Sequence, residues 1–573
     1  MPRRARLLVR VLAGLAVAAV VWTGWLAWQV RSDLLAAQTL ASALQGEDLL
    51  RPGGIVAAVP RLQNRVGRAA ARTQSPFWSL AEQVPVLGDS FRAVGRTTRA
   101  LQVLGDRALP PAAAVLDLVH GGRLLQDGRV DLELLGRVQA QLSVAARGSD
   151  DAQALLAPHD RFVVGPVGAR VARARTQLAR LAAGLHAAST ALRLAPDLLG
   201  QHGPHRYFVA VQNNAEARAT GGLIGGFAVV RADRGVVTLE RSGTDSELLG
   251  TTGAVPTDPG AASTWLRVGS TVAWQDANLT PHFPDVARNI AGLWAAQGGP
   301  PVDGVIGLDP LVMSELLTAS GAVRLPDGTS VTAANVVRFV GHGEYLRYHG
   351  PDNHKRKALL GVLAATLFHQ VLAARDPVRT LQALGRAGAS GHLYLWSADP
   401  VAQAELASSL VGGTLPSGDT PYLGLLTQNF GGNKLDFFLR RTVRVTRAAD
   451  GLLTVAITLR NTVPPGLPPI VAGRADRPDP PVPYGQNRVA LSIYGALSTE
   501  VRAVQIDGRP ALMGFDRDHG HQMGTLSLEL PPDRDVVVTA WLSEPAGELV
   551  YRQQPLMVPD TVDIAVPHRV VGR

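Results

Sequence analysis

The chain has 573 residues, 56 Lys+Arg against 47 Asp+Glu, a formal charge of +9 and no cysteine. The missing cysteine excludes a disulfide framework, a Cys-ligated zinc or iron–sulfur site and a thiol nucleophile. With 46% hydrophobic and 18% charged residues the chain can bury a large core, and its length suits about three or four domains. Lysine occurs only at Lys355, Lys357 and Lys434, so the basic excess is arginine. In an Ala- and Gly-rich chain this reads as the composition of a high-GC bacterial genome, and no nucleic-acid partner is expected.

The N-terminus carries Arg3, Arg4, Arg6 and Arg10, followed by an uncharged run from Val11 to Trp28 with Trp22, Trp25 and Trp28 at its far end. With Leu7 to Val9 added, the run approaches the ~20 apolar residues that a membrane helix needs, and the arginines should stay cytoplasmic. Residues 1–31 are therefore expected to be a cytoplasmic tip and signal anchor of a single-pass cell-membrane protein with its bulk outside. A cleaved signal peptide is the alternative. Its best small-x-small candidate, Ala41-Ser42-Ala43, lies far beyond the apolar run.

Residues 32–200 read as a helical stalk or hairpin, rich in Ala, Leu, Arg and Gln, with breaks expected at Pro52-Gly53-Gly54, Pro76, Pro85, Pro110-Pro111 and Pro158. The clearest seam is Val171, Leu178, Leu181, Leu185, Ala188 and Leu192.

Residues 201–434 change to an α/β pattern. Tyr207–Val211, Phe227–Val230 and Val236–Leu239 are strand-like, and Val302–Leu308 reads as a buried strand. Helices are expected at about Val286–Ala296, Pro310–Ser320 and Ala358–Ala373. From residue 435 to 573 aliphatic residues alternate, as in Leu453, Val455, Ile457 and Leu459, and again around Val489, Leu526, Val536 and Val562. The spacing suits an all-β, Ig-like sandwich. The fold class is thus multidomain α+β.

Three segments of the middle domain are candidates for chemistry. Gln212 to Phe227 holds Asn213, Asn214, Glu216, Arg218 and Thr220 beside paired glycines. Its backbone N–H groups and Arg218 suit an anion, although it matches neither a Walker A loop nor a dinucleotide fingerprint. Leu346 to Lys357 gathers Arg347, Lys355, Arg356 and Lys357 just before a helix start, where positive charge opposes the helix dipole and a bound anion relieves it. Between them, Asp276 and Asp285 read first as turn or cap residues, with metal ligation as the alternative. The 14 histidines show no His-x-x-x-His spacing, so a zinc site is not expected, and no Gly-x-Ser-x-Gly elbow is present.

Asn213-Asn214-x-Glu216-x-Arg218-x-Thr220-Gly221-Gly222, Trp274-x-Asp276-Ala277-Asn278, Val302-Asp303-Gly304-Val305-Ile306 and Gly432-Asn433-Lys434, in that order, resemble the domain of unknown function 4012 (DUF4012) family of membrane-anchored bacterial envelope proteins. The resemblance spans about Tyr207 to Asn433 and carries no established activity. A more distant resemblance is to the LytR-CpsA-Psr phosphotransferases, which move glycopolymers from polyprenyl pyrophosphate onto peptidoglycan using arginines and a divalent metal such as Mg²⁺. That resemblance implies catalytic roles for Arg218, Arg241, Asp245 and Arg347. Phosphate or substrate binding would fall to Arg218, Thr220, Asn278, Arg347, Arg356 and Lys357, with Asp245 near the metal. The acidic residue that follows the first arginine in that family is Ala219 here, and its adjacent Arg-Asp pair is spread to Arg241 and Asp245. Binding of a lipid-linked glycan is therefore expected ahead of turnover. A non-enzymatic envelope scaffold is the alternative.

Overall fold

The computed structural model describes residues 22–39, 54–85, 87–121, 124–126, 128–156, 163–248, 250–251, 253–374, 376–477 and 482–572. Residues 1–21 of the expected anchor, and Ala41-Ser42-Ala43, lie outside these. Residues 22–39 are helical, and no described helix is long and apolar enough to cross a membrane.

The chain forms two compact units, one of residues 1–124 and 130–197, the other of residues 125–129 and 198–573. The first is helical, as its composition predicts, with helices at Gly54–Thr73, Pro76–Ala81, Gly88–Val103, Leu109–Gly121, Leu132–Ala154 and Gly165–Leu198. Ser75 caps the helix that Pro76 opens, accepting the Trp78 N–H. Pro110 and Pro111 do not break a helix as expected. They sit in the first turn of Leu109–Gly121, behind a π-helical turn at Leu104–Ala108, where proline's missing N–H matters least.

The second unit opens on a seven-stranded sheet. Its strands are β1 (Leu125–Gln126), β2 (Arg129–Val130), β3 (His205–Arg218), β4 (Gly221–Asp233), β5 (Val236–Thr244), β6 (Gly304–Leu308) and, beyond a small β7/β8 pair (Val323–Arg324, Ser330–Val331), β9 (Tyr394–Ser397). The order is β1-β2-β5-β4-β3-β6-β9, with β3 and β6 parallel and the β4, β5 and β9 pairings antiparallel. The β1 and β2 strands come from inside the stretch expected to be wholly helical. At two residues each they are too short to leave a periodic signal.

The connection from β5 to the parallel β6 carries the helix Phe283–Ala296, whose Phe283, Val286, Ile290, Leu293 and Trp294 bury against Phe208, Phe227 and Val305 of the sheet. The Phe208 ring stacks on Phe227 at 5.5 Å and on Trp274 at 5.4 Å. The next helix, Pro310–Ser320, starts where the sequence predicts. Asp309 caps it by accepting Leu311 N–H at 2.9 Å, and Pro310 stands at its first position.

Twelve further strands form two six-stranded sheets. In chain order they are β10 (Tyr422–Asn429), β11 (Leu439–Arg447), β12 (Leu453–Asn461), β13 (Asn487–Tyr494), β14 (Glu500–Ile506), β15 (Arg509–Pro510), β16 (Gly514–Asp518), β17 (His521–Leu530), β18 (Asp535–Ser543), β19 (Leu549–Arg552), β20 (Thr561–Ile564) and β21 (His568–Val571). One sheet runs β16-β17-β13-β10-β19-β21, the other β15-β14-β18-β12-β11-β20. The inward residues of both share one aliphatic core, including Leu425, Val443, Val455, Ile457, Leu491, Leu528 and Val538. Every residue of β10 is buried, because this strand faces that core on one side and the α/β part on the other. Burial on both faces removes the period-2 alternation. For that reason a strand of the C-terminal sheets lies within the range 201–434 assigned from sequence to the α/β domain.

Candidate functional site

The segment Gln212–Phe227 spans parts of two strands. It is one long hairpin, β3 running to Arg218 and β4 starting at Gly221, with register breaks between Val211 and Gln212 and between Asn213 and Ala217. The breaks turn successive polar side chains into the space between the α/β part and the C-terminal sheets, where Asn213, Asn214, Glu216, Arg218 and Thr220 are all buried. A Cβ at Gly222 would lie 1.9 Å from the Asn213 carbonyl oxygen, so only glycine lets the two strands approach there.

Most polar groups of this hairpin are bonded to one another or to other parts of the chain, while Asn214 Oδ1 is buried without a partner. The Ala217 N–H donates to Asp436 Oδ2 at 2.8 Å. The segment does bind an anion through its backbone, and that anion is the protein's own carboxylate. Asp436 also accepts from Asn429 Nδ2 and Asn487 Nδ2, each at 2.8 Å, and burial pushes its pKa up to about 6 against these donors. Glu216 pairs with Lys434. Arg218, only 5% exposed, donates to the carbonyls of Gln275 at 2.9 Å, Asn429 at 2.9 Å and Ala217 at 3.1 Å. Its nearest carboxylates, Glu216 and Asp276, stand at 3.8 and 3.9 Å. Asn214 donates to Asp309 at 2.7 Å and to the Pro555 carbonyl at 2.6 Å. Asn278 donates to Gln212 at 2.7 Å and to the Gly222 carbonyl at 2.8 Å, and Thr220 reaches the same Gln212 oxygen at 3.5 Å. The segments singled out in the sequence at Asn213–Gly222, Trp274–Asn278 and Gly432–Lys434 therefore do meet. They meet as a buried hydrogen-bonded joint.

The remaining predicted residues lie elsewhere. Arg241 is about half exposed, pairs with Glu247 at 3.3 Å and lies over the Phe227 and Trp294 rings. Arg347 bonds Asp327 at 3.0 Å and Thr329 at 2.7 Å. Asp245 and Lys357 are brought together in an ion pair of 2.7 Å. An ammonium thus already satisfies the carboxylate that the resemblance placed near Mg²⁺, and this donor set does not fit a divalent ion. Arg356 is buried, its Nε bonded to Asn353 at 2.9 Å and its guanidinium 4.2 Å over Tyr345. Lys434 lies over the same ring, so Arg356 joins the edge of the buried joint while Arg241 and Arg347 do not.

Sequence spacing missed two features. Glu344 lies at the end of the π-helical turn Phe339–Gly343, 1% exposed with neither carboxyl oxygen hydrogen-bonded. Burial pushes its pKa up to about 8, opposed by Arg356. The second is a contact across the joint, where His282 and Asp285, at the start of the helix Phe283–Ala296, meet His519 of the β16–β17 turn. Their ligand atoms lie within 4.8 Å of one another. The geometry is that of a clamp. His282 Nδ1 accepts the Leu415 N–H at 3.1 Å, which puts the ring proton on Nε2, and Asp285 is held by Arg288 and by His519 Nε2 at 2.8 Å. No His spacing could reveal it, because His519 arrives from another domain.

Residues 202–345 match the family model described as a protein of unknown function, DUF4012. No curated protein and no solved structure gives a significant match. The matched segment contains the β3–β4 hairpin, Trp274–Asn278 and Val302–Ile306, while Asn429, Asn433, Lys434 and Asp436, which complete the joint, lie beyond it. The likeness to DUF4012 is thus carried by residues 202–345 of the 573.

Proposed function

We propose that the protein is a membrane-tethered envelope scaffold, in which the DUF4012 hairpin joins the α/β part to the C-terminal sheets so that both form one rigid platform for partners. The observation that supports this is the use of the hairpin's charges. The Arg218 guanidinium is spent on three carbonyls, Glu216 on Lys434 and the Ala217 N–H on Asp436. Groups so bonded and buried are poorly placed to meet a phosphate, and their effect is to fix one interface geometry. The tether rests on the arginine-flanked apolar run at the N-terminus, and an Ig-like C-terminal module belongs to the same reading. The test is in-cell crosslinking of full-length protein. Recovery of the same envelope partner by wild type and by Arg241→Ala/Arg347→Ala supports a scaffold; recovery of no protein partner counts against it.

Capture of a polyprenyl-phosphate-linked glycan is the second reading, in the manner of the LytR-CpsA-Psr enzymes. It is favoured by the half-exposed side chains of Arg347, before the helix Asn353–Leu372, and of Lys355, in that helix's first turn. Incubation of the full-length protein with polyprenyl pyrophosphate and Mg²⁺ separates the two. Saturable binding that Arg347→Ala abolishes supports capture, and its absence leaves the scaffold.

A further inference from the structure

A small, partly open pocket lies beside the joint, lined by Ala219 and Pro281 of the α/β part, Tyr394 at the sheet edge, and Tyr422, Gly424, Arg552 and Gln553 of the C-terminal sheets. Its free volume of about 10 Å³ admits one water-sized group. The lining is rich in donors. Arg552 donates to the Thr414 carbonyl at 2.8 Å and faces the phenol oxygens of Tyr394 and Tyr422 as a donor. Each phenol thus keeps its own O–H proton for a further acceptor. Gln553 is 3% exposed, and neither its amide nitrogen nor its oxygen has a partner.

Charge points the same way. No carboxylate forms an ion pair with Arg552 among the described residues. The carboxylates that act electrostatically on the two phenols are already engaged, Asp309 by Asn214 and His392, Asp518 by Thr280 and Tyr494. Arg552 is partly buried, and a guanidinium withdrawn from water without a counter-charge is costly unless an anion accompanies it. A water molecule needs acceptors as well as donors. This lining offers a cation, two phenol protons and a carboxamide N–H₂ against one free carboxamide oxygen.

We infer that this cavity is a binding site for a single monoatomic anion, chloride under ordinary ionic conditions, held by Arg552, Tyr394, Tyr422 and Gln553. None of the lining residues belongs to the segment Leu346–Lys357, so the site is distinct from glycan-phosphate capture there. The ion neutralises Arg552 where β19 packs against the α/β part, and it thereby ties the stability of the two-part unit to halide concentration.

The test is thermal unfolding of the full-length protein at constant ionic strength with sodium chloride exchanged for sodium gluconate, together with bromide-soaked crystals. The expected result is a Tm that rises by about 2 °C or more from 1 to 150 mM chloride, with an anomalous bromide peak in the cavity. Arg552→Met risks misfolding, so Tyr394→Phe/Tyr422→Phe is the second variant; it preserves packing, removes both phenol donors and should lose the chloride dependence. A Tm indifferent to chloride, with or without a bromide peak, or a chloride effect that survives in the double Phe variant, overturns the assignment.

Discussion

The Asp436 carboxylate accepts the backbone N–H of Ala217 at 2.8 Å across 219 residues of sequence. A hairpin whose glycines and exposed N–H groups read as an anion cradle is satisfied by an acid from the adjoining domain. Asp436 receives three donors in all. In Asp436→Asn one carboxyl oxygen becomes an amide that must face one of them, so we expect a loss of about 1–3 kcal/mol, read as a lower midpoint in urea unfolding. Unchanged stability would remove Asp436 from the joint.

Arg218 and Arg347 make a contrasting pair. Arg218→Ala strands three carbonyl acceptors, two of them in buried bonds, and should cost about 2 kcal/mol or more. Arg347→Ala breaks a half-exposed pair and should change stability by no more than about 1 kcal/mol. Parallel thermal melts check this, and equal small effects would show that Arg218 is not structural.

Glu344 sets an alkaline limb. Its folded pKa of about 8 is above the ordinary 4.5, so its contribution is full below pH 4.5 and is lost as pH rises through 8. The loss should run at roughly 1 kcal/mol per pH unit inside that window. Glu344→Gln has no charge to bury and should show a flatter stability profile between those limits. A profile identical to wild type would mean that Glu344 is solvated.

His282 sets an acid limb. Burial, opposed by Asp285, takes its pKa down to about 3, so its contribution is present above pH 6.5 and is lost as pH falls from 6.5 toward 3. His519 acts in the other direction. Burial opposes its charge, yet the Asp285 hydrogen bond raises its pKa, so that contribution is full below pH 6.5 and is lost as pH rises through the folded value. His282→Gln keeps an acceptor for the Leu415 N–H and should weaken acid destabilisation below pH 6.5, measured by the unfolding midpoint from pH 7 to 4.

Much of the fold was legible because local patterns agree with it. The alternation at Leu453–Leu459 lies within β12 with the aliphatic residues buried, and the helix expected at Pro310–Ser320 is capped by Asp309 at its start. Where local and tertiary demands diverge, the pattern fails. β10 is buried on both faces and shows no period, and Pro110-Pro111 is absorbed by a π-helical turn. Only part of the candidate site was legible, because Arg241, Asp245 and Arg347 pair elsewhere and Asp436 and Asn429 carry no signal in the sequence. Arg218, Asn278 and Lys434 were singled out and do converge on one hairpin.

By itself the sequence determined which residues are unusual: paired glycines beside Asn213, Asn214, Glu216 and Arg218, and a lysine at 434 in a chain with almost none. It also determined the α, α/β and β order of the parts, because helical and strand periodicity are local properties. What those polar residues face was decided only by the tertiary structure. A backbone N–H and a guanidinium satisfy a phosphate oxygen, a carboxylate or a carbonyl equally well by chemistry. Which acceptor arrives is set by how the C-terminal sheets pack, and here they bring Asp436, Asn429 and Lys434 to the hairpin.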